Sequence, residues 1–223
     1  MMIDRRLLLL TGAAAPMLAL PGCATTAGGL SLVEAIRRLL SLSSQRAFAA
    51  LLQPGGFYDN AVARIALPGQ FAATGGIGQL LATGAVRDRL GRILNGVAER
   101  GAERAAPVIA DAITSFSVAD ALSIVRGGST AATALLEGQL GGNLISAMFP
   151  AVGDALRIVS DDIVARALRA ASGYDLATLA RDVTDGANRG IWRAIGVEEA
   201  AIRANPQSTG DPLLTAVFGL AGR

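Results

Sequence analysis

The sequence predicts an all-α protein: a single irregular multi-helix bundle domain that follows a cleaved signal peptide. Three observations predict it. Apolar residues recur at intervals of three and four over most of the chain. No run alternates with period two for long enough to form a sheet. Glycine, proline and short polar residues punctuate the apolar stretches at the places where helices start and stop. The 223 residues are 52% hydrophobic but only 4% aromatic, so a core of this size must be built mainly from Leu, Ile, Val and Ala.

The chain opens with Arg5-Arg6 and runs into Leu7 to Leu10, Ala13 to Ala15 and Leu18 to Leu20, a charged segment followed by an apolar one, which is the order of a signal peptide. The apolar stretch falls short of the roughly 20 residues that a bilayer span needs, and Pro16 interrupts it. Leu20-Pro21-Gly22-Cys23 fits the lipobox, in which the cysteine thiol receives a thioether-linked diacylglycerol and the freed amine is then acylated. Several acyl chains on one residue give stable anchoring. Cys23 is the only cysteine, so the chain has no internal disulfide. Arg5-Arg6 fits a twin-arginine signal only loosely, and the general secretory route is expected. Ala24 after the anchor, in place of Asp, points to the periplasmic face of the outer membrane. The expected division is a signal peptide at 1–22, a lipid-anchored tether at 23–30 spanning about 15 Å, and a helical domain at 31–223.

Element by element, Ser31 and Glu34 suggest a capping box opening a helix at 31–52, which Pro54-Gly55-Gly56 ends. Asp59 can cap a turn or two before an extended Arg64 to Leu67. Thr74-Gly75-Gly76-Ile77-Gly78 lacks a preceding strand and a Gly-Lys-Ser/Thr, so it predicts a bend and not a phosphate loop. A helical pattern covers 79–116, with Pro107 expected to begin a new helix. Ser117 to Asp120 resembles a helix start, and Gly127-Gly128 a stop. Further helices are predicted at 129–140, 142–149 and 150–171. Asp175 caps a longer one reaching Ala204, with breaks expected at Gly186, Gly190 and Gly196. After a turn at Asn205-Pro206, Asp211-Pro212 opens a last short helix ending at Gly219.

Several segments resemble an uncharacterised bacterial family, domain of unknown function 4197. They are Asn95 to Glu99, Ser117 to Thr133 with its Arg126-Gly127-Gly128-Ser129-Thr130, Gly56-Phe57, Ile65 to Pro68, Phe149 to Val152, Glu198-Glu199, Ile202 to Pro206, and Val217 to Gly219. The resemblance covers nearly all of the mature domain. It implies secretion or an envelope location and a helical fold, and brings no activity. Leu135-Leu136 and Ser208-Thr209 stand where the family tends to have Tyr-Phe and Arg-Thr.

The composition excludes much chemistry. With no histidine and no lysine, Ser-His-Asp and Cys-His catalysis, imidazole zinc sites, Schiff bases and lysine-linked cofactors are out of reach. No cofactor and no metal is expected. Asp, Glu and Tyr remain for acid–base work. Glu99, Asp120 and Glu199, which lie in the family-like segments, are the carboxylate candidates for cleaving an envelope glycan. Against that reading, Asp120 can cap a helix, and Glu99 and Glu199 can pair with arginines, Glu199 with Arg203 one turn on, as on a helix surface. Asp182 to Asn188 lacks the spacing and closing Glu of a calcium loop. Gly127, Gly128, Ser129 and Thr130, at a helix N-terminus, could receive an anion or a headgroup phosphate, or serve only as a C-cap and N-cap. Removing residues 1–22 takes Arg5, Arg6 and Asp4 from 20 basic and 18 acidic side chains, leaving 18 and 17. That near-neutral balance argues against a nucleic-acid partner. The expected function is a membrane-anchored, non-enzymatic module that binds an apolar or lipidic ligand or an envelope protein. A carboxylate-dependent glycan hydrolase or lyase and a structural assembly factor are the alternatives.

Overall fold

Asp175 has extended backbone angles, and its carboxylate accepts the Thr178 N–H at 2.8 Å, which starts the central helix of the protein where expected. A computed structural model describes residues 24–68, 84–119, 121–159, 164–165 and 175–219. Among these the helices are α1 (Ala24–Leu51), α2 (Gly84–Ser115), α3 (Ala121–Arg126), α4 (Ala131–Leu140), α5 (Asn143–Ile158), α6 (Leu176–Ala204) and α7 (Pro212–Phe218), with a 3₁₀ turn at Pro206–Thr209. The described residues contain no strand, and none of their helices is long and apolar enough to cross a membrane.

Helix α6 packs against α1, α2, α4 and α5, while α2 lies along α5 and α1. Encirclement explains why α6 buries residues on most of its circumference, from Leu179 and Val183 to Ile191, Trp192, Ile195 and Ile202. The core is aliphatic, as the composition requires, with Phe57, Phe116 and Phe218 among its largest fully buried side chains. Helix α7 closes against α1. Asp211 caps it by accepting the N–H groups of Leu213 (2.8 Å) and Leu214 (3.2 Å), and Pro212 takes the first helical position.

Five expectations are corrected. Helix α1 begins at Ala24, so residues 24–30 are helical turns and not a loose tether. No proline interrupts them, and the ladder of α1 extends back through them. Ser31 is therefore interior to the helix, and Glu34 pairs with Arg38 at 2.9 Å instead of closing a capping box. Pro107 and Pro150 begin no new helices: α2 and α5 run through them. An interior proline costs about 3 kcal/mol. Here it is offset by one continuous buried stripe on either side, Ala105 and Ile109 in α2 and Met148 and Val152 in α5.

The glycines of α6 do not break it. They are notches for close approach. A Cβ on Gly190 would sit 2.7 Å from the Ala63 carbonyl oxygen, and one on Gly186 2.7 Å from an Ile65 methyl, so the 63–65 segment lies directly on the helix. Finally, Asn60 rather than Asp59 organises the turn after α1, its Oδ1 accepting the N–H groups of Val62 (2.9 Å) and Ala63 (3.2 Å). The extended Arg64 to Leu67 follows as expected. The bend at 74–78, the first turn of the helix expected from 79, and most of 160–171 lie outside the described residues.

Candidate functional site

The junction between α3 and α4 is the best-built polar feature, and it carries two of the sequence candidates. Glu199 and Arg203 stand one turn apart on α6, beneath the Gly127-Gly128-Ser129-Thr130 loop. Glu199 accepts the Ala132 N–H at 3.1 Å through Oε1 and the Thr133 N–H at 2.7 Å through Oε2. Arg203 donates from Nε to Glu199 at 2.7 Å, and its two terminal nitrogens reach the carbonyls of Val125 and Ile124 at 3.1 Å each. The carboxylate thus fills the N-terminus of α4 and the guanidinium the C-terminus of α3, the two places where helix backbone lacks internal partners. Thr130 makes no side-chain cap, because Glu199 does that job from another helix.

This geometry revises the reading of both candidates. Gly127, Gly128, Ser129 and Thr130 are exposed, but the first amides of α4 are already taken. Gly128 accepts the Ala131 N–H at 3.1 Å, and Glu199 holds the place an incoming anion would occupy. The Glu199–Arg203 pair is no surface contact either. The Glu199 and Arg203 side chains are 0% and 10% exposed, so the pair lies inside the protein.

Glu99 serves a comparable purpose on α2. Its carboxyl lies against the backbone N–H groups of Phe57, Gly55 and Gly56, in the turn that ends α1, and burial pushes its pKa up despite those contacts. One oxygen, Oε1, is buried with no hydrogen-bond partner. Gly55 has φ +80°, and a Cβ on Gly56 would stand 2.4 Å from the Ala50 carbonyl oxygen, so this turn needs both glycines. Asp120 and Cys23 lie outside the described residues. Glu99 and Glu199 are not brought together. Among the described residues no group of three acidic, Cys or His side chains is placed to hold a metal, and Asp182 to Asn188 is simply part of α6.

Two polar residues that the sequence reading did not single out are structural keys. Asn95 is fully buried on α2 and treats Ile65 as a neighbouring strand would. Its Oδ1 accepts the Ile65 N–H at 2.8 Å, and its Nδ2 donates to the Ile65 carbonyl at 3.0 Å and to that of Gly91 at 2.8 Å. Arg37 of α1 donates twice to the Phe116 carbonyl, at 2.9 and 2.8 Å, closing the end of α2. Near the turn after α1, the ring of Tyr58 lies between the guanidinia of Arg64 and Arg92, at 3.8 and 4.3 Å. The Tyr58 hydroxyl donates to Asp88.

The open spaces lie between helices. A groove of about 560 Å³ separates α2 from α5. Its floor is Ile93, Gly96, Val97, Ala151 and Ala155, its far end Ile158 and Val159, and its rim Arg92, Arg100 and Arg104. A second, of about 590 Å³, lies between α4 and α6, beside Trp192 and Thr133, whose buried hydroxyl has no partner. A third, of about 510 Å³, is polar and sets Arg64, Arg189 and Arg193 beside Asp182 and Asp185. The first groove had a signal in the sequence: Arg92, Gly96, Arg100 and Arg104 recur every four residues, one row along a helix.

No curated protein and no solved structure matches the chain. One family model does, over residues 27–219, and it is described as a protein of unknown function, DUF4197. That span takes in α2 to α7, almost all of α1, the Glu199–Arg203 junction and both walls of the α2–α5 groove, and the chain belongs to the DUF4197 family.

Proposed function

We propose that this is a lipid-anchored, non-enzymatic protein of the bacterial envelope that binds an apolar or lipidic ligand between its helices, from the periplasmic face of the outer membrane. The observation that carries the binding reading is the α2–α5 groove, a cleft with an apolar floor and no pair of facing candidate carboxylates. The two acids at its edge are each engaged on their own helix, Glu103 with Arg100 at 2.9 Å and Asp154 with Arg157 at 2.8 Å. Glycan cleavage by two carboxylates needs an acid and its partner across the scissile bond, about 5–10 Å apart. Glu199 is committed to the start of α4 and to Arg203, and Glu99 to the turn after α1. Pockets of roughly 300–1,000 Å³ with mostly apolar linings are typical of small-ligand sites. The anchor rests on Leu20-Pro21-Gly22-Cys23.

Intact mass spectrometry of the full chain purified from membranes tests both halves. Under denaturing conditions the expected mass is that of a chain beginning at Cys23 with a diacylglycerol and one acyl chain added. An unmodified mass, or a Cys23→Ala variant that stays membrane-bound, overturns the anchor. Under native conditions a further non-covalent mass of lipid size is expected. A bare protein there overturns the binding reading, and release of soluble fragments from purified peptidoglycan besides favours catalysis.

A further inference from the structure

We propose that the α2–α5 groove takes one acyl chain of an anionic amphiphile, with the charged head group held at Arg104. This inference rests on the binding reading above and adds a place, an orientation and a ligand charge. The groove has two different ends. Helices α2 and α5 run antiparallel, since Gly101 packs on Met148 and Val152 while residues 92–104 of one face residues 151–159 of the other. Ile93 therefore shares an end with Ile158 and Val159, and Arg104 lies toward Ala151. At the first end Ile158 is 78% exposed, the most exposed large apolar side chain described. Ile93 and Val159 complete an apolar lining at that end, which suits the hydrocarbon tail of an amphiphile.

The other end carries the uncompensated charge. Arg92 is committed to Asp88 at 3.0 Å and to the Tyr58 ring, and Arg100 is paired with Glu103. Arg104 makes no ion pair among the described residues. Glu103 and Asp154 each have an arginine partner one turn away on their own helix, so Arg104 is the rim charge left to meet an anion. From Arg92 to Arg104 the row rises about 18 Å at 1.5 Å per residue, the scale of an extended acyl chain.

The groove owes its depth to small side chains. Gly96, Ala151 and Ala155 line it, and a Cβ on Gly96 would meet nothing within 4 Å. Gly96 is therefore a position where a side chain can be added without meeting a neighbour, and as part of the groove lining it places that side chain in the space the ligand would use. A leucine at 96 also replaces a poor helix former with a good one.

Full-length protein, delipidated in mild detergent, is titrated with fluorescent palmitate, its methyl ester and a short-chain phosphatidylglycerol. The variants are Gly96→Leu, Arg104→Gln and Arg104→Glu. The expected result is saturable binding of at least one anionic probe. Gly96→Leu weakens it tenfold or more while the melting temperature stays or rises. Arg104→Gln weakens the anionic probe several-fold and Arg104→Glu more, and neither changes the ester. Preference for palmitate or for phosphatidylglycerol identifies the head group as carboxylate or phosphate. Binding that survives Gly96→Leu unchanged overturns this site and leaves the binding reading standing. Equal loss for acid and ester at Arg104 overturns the head-group assignment. No binding by any probe overturns the inference, and a bare native mass besides overturns the reading beneath it.

Discussion

Replacing Glu199 with alanine tests the junction between α3 and α4 directly. The substitution deletes three hydrogen bonds at once, at 3.1, 2.7 and 2.7 Å, all to a side chain with no solvent exposure. Two buried N–H groups at the start of α4 lose their acceptor, and the nearly buried Arg203 loses its counter-charge. Removing one partner of a buried pair typically costs about 3–5 kcal/mol, most of it from the charge left behind. Loss of a helix cap alone is worth about 1 kcal/mol. The expected cost of Glu199→Ala is therefore about 3–5 kcal/mol. In a domain of this size that lowers the melting temperature by roughly 6–20 °C. Urea denaturation followed by far-ultraviolet circular dichroism gives the free energy. A double-mutant cycle with Arg203→Met separates the ion pair from the capping, and the double variant is expected to be less destabilised than the two single costs together. Glu199→Gln is also expected to destabilise, because its amide nitrogen faces N–H groups that need an acceptor. A loss under 1 kcal/mol for Glu199→Ala would refute the idea that this carboxylate holds the two helices together.

Asn95→Ala removes both partners of the buried Ile65 backbone, and at about 1–3 kcal/mol per orphaned group is expected to cost about 2–5 kcal/mol by the same denaturation assay. A pair of helix glycines should respond with opposite signs in a thermal melt. Gly96→Ala, with open space around its Cβ, stabilises by up to about 1 kcal/mol, whereas Gly190→Ala drives a Cβ to 2.7 Å from the Ala63 carbonyl and destabilises. Pro107→Ala restores a missing helix hydrogen bond at an exposed position and is expected to stabilise by about 1–3 kcal/mol, read as a higher denaturant midpoint. Burial raises the Glu99 pKa above its unfolded value, so the folded state binds that proton more tightly. Its contribution to stability is fully present below about pH 4.5 and is lost as the pH rises through the folded value. Glu99→Gln should remove that slope from a stability profile measured between pH 4 and 7. The acid arm is opposite in sign: Asp88, held down first by the Tyr58 hydroxyl, and Asp175, held down by the Thr178 N–H, lose their stabilising effect as the pH falls below 3.8.

Features with local causes were legible in the sequence. Asp175 as a cap, the end of α6 at Asn205 and the Asp211-Pro212 start each depend on residues within four positions of one another. The helical class followed from spacing alone. Pro107 and Pro150 misled because a local penalty was read without the buried stripe that outweighs it. The role of Glu199 was hidden for the same reason. Its spacing to Arg203 is a surface pattern, and only the tertiary fold brings Ala132 and Thr133, 67 and 66 positions away, onto its carboxylate. The glycines of α6 read as interruptions because their partners, Ala63 and Ile65, sit far upstream. The α2–α5 groove was half visible: the arginine row is in the sequence, but Ala151 and Ala155 face it only after α5 has docked.

The Glu199–Arg203 junction also sets an order of events. A chain emerging from its N-terminus delivers α3 and α4 well before the end of α6, whose side chains must reach back 66 to 79 positions to meet them. Until then the last carbonyls of α3 and the first amides of α4 have only water. Such long loops must close before these contacts contribute anything. Completion of the bundle is thereby tied to arrival of its C-terminal segment, and a chain cut short of residue 199 lacks the clamp that joins its middle.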